Sequence, residues 1–298
     1  MLGRICMTLA PQDIICAVTD DPKVKIKYIP KKNTGLKYGE LINNYIGELV
    51  WSSEEIKDML LEQPSYNIAP GELAPIIISS KHFENSKTFD YAIIPALWGL
   101  IPRWHKGNYR EHGFNTVNFR TENMDQSRMY KPAFNRGQRC VLICEGFYEH
   151  QRVPYRLPPE ERSIYYIYSS QMKGIEIDNK STWNCRVINM LYIAAIFDVW
   201  LDNNGNEIFN FTILSVDSDN NVLSWLHPRT PAILETAEQI HKWLNFTEIF
   251  GNDALAIIKS PKSIEWHQVS NHVLDIDNKD DRCNKAIKFK YQSDDNED

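Results

Sequence analysis

The chain has 298 residues, 43% of them hydrophobic and 11% aromatic, enough apolar material for one large domain or two small ones. Its net charge of −6 argues against a general polyanion binder. No apolar run approaches the roughly 20 residues of a membrane span, and the opening MLGRICMTLA lacks the apolar stretch and cleavage site of a signal peptide, so a soluble intracellular protein is expected.

In chain order, Pro11 to Val18 reads as a short helix. Lys23 to Gly39, with its lysines and two glycines, reads as an inserted loop. Ser52 to Glu62 follows as a helix capped by Ser52 or Ser53. Then come segments dense in β-branched and aromatic residues: Leu73 to Ser79, Arg139 to Glu149, Ile164 to Tyr168, Leu191 to Trp200 and Ile208 to Val216. Thr236 to Leu244 carries the apolar spacing of a surface helix, and Asn252 to Ile258 is a helix that Asn252 or Asp253 would cap. A last strand is expected over Ile264 to Val269, and a weakly ordered acidic tail over residues 275–298. Strands outnumber helices and do not alternate with them. The expected class is therefore α+β: a mainly antiparallel sheet or barrel with short peripheral helices. No repeat or Pro/Gly-rich linker divides the chain, so residues 1–274 are read as one domain.

The six cysteines (Cys6, Cys16, Cys140, Cys144, Cys185 and Cys283) show neither zinc-site spacing nor a disulfide framework. Cys140 and Cys144 are the closest pair, but four residues of strand span about 13 Å, too far for a bridge. Buried free thiols are expected throughout. Charge is unevenly spread. Ile101 to Arg139 holds eight basic residues (Arg103, Lys106, Arg110, Arg120, Arg128, Lys131, Arg136, Arg139) against three acidic ones. A local excess of +5 can neutralise phosphates on an acidic protein, or it can be a solvated face with no partner.

Four stretches set polar groups among apolar ones. In Gly113 to Glu122, Asn118, Arg120 and Glu122 alternate, so an extended chain projects all three from one face. An Asn beside an Arg suits an anionic ligand, because the guanidinium offers a fork of donors; a surface strand with an ion pair fits equally. In Cys140 to His150 a hydrophobic run leads into Phe147-Tyr148-Glu149. A carboxylate hemmed in by aromatics is desolvated and suited to proton transfer, unless it points into water. His227 stands between apolar runs, with Arg229 two residues on, and is either a proton-transfer group or a structural histidine. Leu97 to Trp104 sets Trp98 and Trp104 beside Arg103, a combination that stacks unpaired bases along a phosphate track or fills a core. There is no Walker loop, G-x-S-x-G or H-E-x-x-H, so kinase, serine-hydrolase and zincin chemistry have nothing to stand on.

Taken together, these stretches resemble the SRAP family. The matching pieces are Gly3-Arg4, Tyr66-Asn67 to Pro70, Leu97 to Trp104, Asn118-Phe119-Arg120-Thr121-Glu122, Ser127 to Pro132, Gly146 to Glu149, Ala195 to Trp200, His227 to Pro231 and Val269-Ser270. The long insertion before Tyr66 is like the eukaryotic members. The resemblance implies a protein of the DNA damage response, nuclear, that binds single-stranded DNA and its junctions with duplex at abasic sites. It implies covalent capture of the ring-opened sugar by an N-terminal cysteine at position 2, amine and thiol closing together to a thiazolidine. Glu149 would be the acid/base group, His227 its proton-transfer partner, and Asn118 the residue that positions the sugar. Arg4, Arg120 and Arg128 would hold phosphates, with Arg103, Lys131, Trp98 and Trp104 along the same DNA path. No metal or organic cofactor, no membrane and no replication-clamp motif is implied.

The sequence departs from that pattern at the nucleophile. Position 2 is Leu2, which has no thiol, and its bulk discourages removal of Met1. His150 stands where the family usually has tryptophan. Cys6 is about 13 Å further along an extended chain and carries no free amine. Three readings follow: capture or lyase chemistry through a transient Schiff base, a non-covalent single-stranded DNA-binding pseudo-enzyme, and a thiol (auto)peptidase, for which Leu2 removes the obvious cysteine.

Overall fold

The computed structural model describes residues 3–18, 24–28, 65–83, 89–152, 158, 161–203, 205, 207–218, 222–259 and 261–287. Leu2, the expected helix at Ser52 to Glu62 and most of the expected loop at Lys23 to Gly39 lie outside the described residues. The strands are β1 (Arg4–Met7), β2 (Ile26–Tyr28), β3 (Ser65–Ile68), β4 (Leu73–Ser79), β5 (Tyr91–Trp98), β6 (Asn118–Arg120), β7 (Arg139–Cys144), β8 (Gly146–His150), β9 (Ile164–Ser169), β10 (Leu191–Leu201), β11 (Glu207–Asp217), β12 (Arg229–Pro231) and β13 (Ile264–Val269). The helices α1 (Pro11–Val18), α2 (Lys131–Asn135), α3 (Ala237–Leu244) and α4 (Gly251–Leu255) are short and peripheral. This is the α+β class expected.

The strands form two sheets. One runs β13-β9-β8-β1-β3, antiparallel throughout. The other runs β12-β11-β10-β7-β4-β5-β2, with β6 beside β11. Parallel pairing of β5 with β11, Leu97 against Asn210 and Trp98 against Phe211, closes β5, β4, β7, β10 and β11 into a barrel. Closure satisfies edge strands that would otherwise present unpaired backbone groups. It also explains the near-continuous apolar runs of β4, β7 and β10, which are covered on both faces. One hydrophobic cluster joins Ile5, Phe147 and Ile167 of the first sheet to Ile76, Leu142 and Ile193 of the second.

The run expected as one strand from Arg139 to Glu149 is two strands in two sheets, and Glu145 is the crossing point. Its side chain is fully buried and accepts hydrogen bonds from Thr8 N at 2.6 Å, Thr8 Oγ1 at 2.7 Å and the Cys6 thiol at 3.2 Å. Burial raises its pKa, opposed by the Thr8 bonds. Gly146 comes next because a Cβ there would stand 2.4 Å from the Tyr166 ring.

Other differences are local. Helix α3 starts where expected because Thr236 and Gln239 form a reciprocal capping box. Helix α4 takes Asn252 and Asp253 into its first turn, and Phe250 occupies the cap without a side-chain bond. Residues 26–28, expected in a loop, pair with β5. Part of the expected tail is held down: Asn67 Nδ2 donates to the carbonyls of Asp275 and Asn278, and Lys279 Nζ reaches Glu72 at 2.8 Å. The cysteine expectation is corrected for one pair. Cys16 of α1 and Cys185 form a disulfide with Cα atoms 5.6 Å apart, joining segments 169 residues apart; that long-range proximity leaves no mark in local spacing. Cys6, Cys140, Cys144 and Cys283 are free and buried. Among the described residues no helix is long and apolar enough to cross a membrane.

Candidate functional site

The C-terminal end of β11 organises the site. Ser215 pairs in parallel with Arg120 of β6 and antiparallel with Pro231 of β12. One residue cannot pair twice on one edge, so β6 and β12 flank β11 on opposite sides. Arg120 therefore lies about two strand spacings, roughly 10 Å, from Pro231, with Asn118 and Arg229 offset along the strands. Arg229 bridges the gap: Nη1 donates to Glu122 Oε1 at 2.5 Å, and Nη2 to Glu122 Oε2 at 3.0 Å and to the Ser215 carbonyl at 2.7 Å. The ion pair anticipated on the Asn118 strand thus exists, but with a partner 107 residues away. Glu122 leaves the face shared by Asn118 and Arg120 because the strand ends at Arg120 and a 3-10 turn begins at Thr121.

His227 precedes β12 and is 4% exposed. Its Nδ1 lies 2.9 Å from both N and O of Arg229, while Nε2 is buried without a hydrogen-bond partner among the described residues. Burial, assisted by the charges of Arg152 and Arg229, pushes its pKa down to about 4, so the ring is neutral at pH 7. Glu149, on β8 of the other sheet, is 5% exposed, as its aromatic surroundings predict. One hydrogen bond ties their chain segments together: the N–H of Arg152, three residues past Glu149, donates to the carbonyl of Leu226, next to His227, at 2.7 Å. Strand β1 brings its N-terminal end to the same place, since Arg4 pairs with Tyr148.

The basic stretch does not form one track. Arg120 and Arg128 are exposed, and Lys131 folds back onto the carbonyl of Asp125 at 2.8 Å. Arg4 Nη2 donates to the Leu274 carbonyl at 3.2 Å, and its Nη1 is buried without a partner among the described residues. Arg103 grips the buried Asp198 at 2.6 and 2.7 Å, with Arg136 on the same carboxylate at 3.2 Å. That pair lines a polar cavity of about 660 Å³ with Lys81, Lys106 and Glu207, at the opposite end of β11 from Ser215. Arg139 is buried and donates to the Trp243 carbonyl at the end of α3, where a cation complements the helix dipole.

Trp98 is also corrected. It is 1% exposed, stacks on Phe211 at 6.5 Å and donates to the Val117 carbonyl, because barrel closure turns it inward; it offers no face to a base. Trp104 is 57% exposed and stands edge-on to Phe114 at 6.4 Å.

Two features escaped the sequence reading. Tyr165, Trp225 and Trp266 form a ring cluster beside Glu149, visible only once β8, β9 and β13 are paired. His272, Asp280 and Cys283 bring ligand-type atoms within 4.8 Å of one another. They do not suit a cation. Arg282 already forks onto the Asp280 carboxylate at 3.0 and 2.7 Å. The Asn278 amide meets His272 Nδ1 at 3.1 Å, which leaves the ring proton on Nε2, facing Asp280 at 3.2 Å. Burial pushes the Cys283 thiol up to about 11.

A closed mixed barrel has an antiparallel sheet laid against it through one hydrophobic cluster, and a buried carboxylate, a neutral histidine and exposed guanidinium groups lie on its strands and flanking turns. The family described as SOS response associated peptidase (SRAP) matches residues 1–276, and the chain belongs to it. The abasic site processing protein HMCES of Xenopus tropicalis is 33% identical over 96% of this chain and 78% of its own length. Mouse HMCES is 36% identical over 74% of this chain, which spans 64% of that relative's length. The abasic site processing protein YedK of Escherichia coli is 24% identical over 72% and 80%. A crystal structure of a Bacteroides thetaiotaomicron protein shares the fold with TM-score 0.57 at 20% identity, over 76% of this chain and 87% of that one.

Proposed function

We propose that this chain binds abasic sites in single-stranded DNA and engages the opened sugar at Asn118, Glu149 and His227 without forming a stable thiazolidine. The observation that carries this reading is a buried carboxylate, Glu149, and a neutral histidine, His227, on segments tied together by the Arg152–Leu226 hydrogen bond, with Arg4 paired beside Glu149 at Tyr148 and Arg120 and Arg128 exposed. A neutral imidazole accepts a proton, a carboxylic acid returns one, and guanidiniums hold phosphates. The names of the relatives point the same way. With Leu2 in place of a cysteine, an amine can add to the sugar aldehyde and lose water to an imine, but no thiol closes the ring. A nuclear location belongs to this reading.

A thiol-peptidase reading draws no support from the described cysteines. Cys6, Cys140 and Cys144 are fully buried, and burial drives their pKa values far up. Cys283 lies near His272, but it donates to the Asn278 carbonyl rather than to the ring and is held as a thiol.

The test is a denaturing gel of the chain with abasic single-stranded DNA, with and without borohydride, beside a native gel. A borohydride-dependent band means an amine attacks the sugar; no band with binding intact means a non-covalent binder. If an Arg120→Ala, Arg128→Ala variant retains abasic DNA as well as the parent, the reading fails.

A further inference from the structure

Strand alternation sorts the side chains of the five-stranded sheet. Glu149 pairs with Tyr165, and Tyr165 with Gln268. Trp266 pairs with Ile167, two residues along β9 from Tyr165 and therefore on the same face. Glu149, Tyr165 and Trp266 thus share one side. Trp225, two residues before His227, completes the group: it meets the Tyr165 ring edge-on at 4.9 Å and leans on Trp266 at 5.4 Å. The rings form a continuous wall from the direct cross-strand neighbour of Glu149 to the edge strand β13, where Trp266 is 38% exposed.

A cation borders this wall. The backbone of Arg152 bonds the carbonyl of Leu226, next to Trp225, and the Arg152 charge reaches His227. Flat apolar faces bordered by guanidiniums are the chemistry of single-stranded nucleic acid, in which bases stack on rings and phosphates follow the charge. The wall also takes up a role that Trp98, sealed in the barrel, does not offer.

We infer that Trp266 and Trp225, backed by Tyr165, form a stacking platform for an unpaired nucleobase adjacent to the abasic nucleotide. This rests on the proposed engagement of abasic single-stranded DNA and adds a subsite to it. An abasic nucleotide has no base of its own to stack, so a neighbouring base held on this wall fixes the register that brings the sugar to Glu149.

The test is fluorescence anisotropy with two single-stranded oligonucleotides carrying a stable tetrahydrofuran abasic analogue. In one the flanking nucleotides bear thymine; in the other several neighbours on both sides are also abasic analogues. The parent protein binds the thymine-flanked strand more tightly. Trp266→Ala weakens that binding about 5- to 150-fold, the range for loss of one base–ring stack, and leaves binding of the baseless strand unchanged. Trp266→Phe restores most of the preference. Trp266 lies at the rim of the sheet, and an unchanged thermal midpoint for Trp266→Ala excludes misfolding. Equal binding of the thymine-flanked strand by parent and Trp266→Ala overturns the inference, as does equal weakening on both strands. The proposed function fails separately, if the parent binds abasic DNA no better than Arg120→Ala, Arg128→Ala.

Discussion

Arg229 and Glu122 share a two-pronged ion pair, Nη1 to Oε1 at 2.5 Å and Nη2 to Oε2 at 3.0 Å, that ties the turn after β6 to β12 across the end of β11. The two sides are unequal: the Glu122 side chain is 49% exposed and that of Arg229 only 9%. Glu122→Gln should therefore cost about 0.5–1 kcal/mol, the range of exposed pairs. Arg229→Met also removes the shorter of two side-chain hydrogen bonds to the Ser215 carbonyl, leaving only the Thr121 hydroxyl at 3.3 Å, and should cost about 2–3 kcal/mol. Burial alone would raise the Glu122 carboxyl, but the Arg229 hydrogen bond holds it below its ordinary value. The pair's contribution is thus present above about pH 4.3 and is lost as pH falls through the lower folded value. Urea midpoints of the two variants check the asymmetry; equal losses would remove it.

His227 sets a second pH dependence. Its folded pKa of about 4 lies below the ordinary value of about 6.5. Between those values the unfolded chain binds the proton and the folded one does not, so stability rises with pH there. The contribution is complete above pH 6.5 and is lost as pH falls toward 4. His227→Gln should flatten the dependence of the urea midpoint over that window. His82, half-buried and also pushed down to about 4 by burial, leaves a residual slope in the variant. An unchanged profile would mean that His227 titrates normally.

Gly146 marks a close approach rather than a turn. Any Cβ there meets the Tyr166 ring at 2.4 Å, and Tyr166 is itself fully buried against Tyr148. Gly146→Ala should destabilise by about 1–3 kcal/mol through overpacking. Adding Tyr166→Leu should recover part of that loss, although Tyr166→Leu alone is destabilising. A double-mutant cycle from denaturant melts gives the coupling; no coupling would mean that the strain is relieved elsewhere.

The parts of the fold legible in the sequence were those written in local pattern. Strand β4 and helix α1 occupy the residues their composition marks, and α3 starts at its Thr236 cap. What was not legible depends on distant neighbours. The run from Arg139 to Glu149 is uniformly apolar, and only the Thr8 and Cys6 groups that satisfy Glu145 make it change sheets there. Trp98 reads as a surface ring or a core ring, and the register with Phe211 decides for the core. In the same way the charge count over Ile101 to Arg139 was real, but Asp198 takes Arg103 and Arg136 to one end of β11 and the α3 carbonyls take Arg139 inside.

The Cys16–Cys185 bond closes a long loop, so its removal should loosen the unfolded chain more than it disturbs the native one. Cys185→Ser should lower stability by about 2–4 kcal/mol under oxidising conditions and have little effect in excess reductant. Thiol titration of the denatured, unreduced protein should find the four free cysteines. Six titratable thiols, or equal stability of parent and variant without reductant, would show that the bond does not form.

Leu2→Cys tests whether the rest of the site is competent. A small residue at position 2 permits removal of Met1, which intact mass reports as the loss of one methionine. The freed amine condenses with the sugar aldehyde, expelling water, and the thiol then adds to the imine carbon to close a five-membered ring. The expected result is a heat-stable DNA adduct without borohydride. Since general acid–base help contributes about 10²- to 10⁴-fold, Glu149→Gln or His227→Gln in the Leu2→Cys background should slow adduct formation within that range. Both groups are buried, so the variants probe proton transfer rather than encounter with DNA. A Leu2→Cys chain that loses Met1 and binds abasic DNA but forms no adduct would mean that Glu149 and His227 are not placed to serve the reaction.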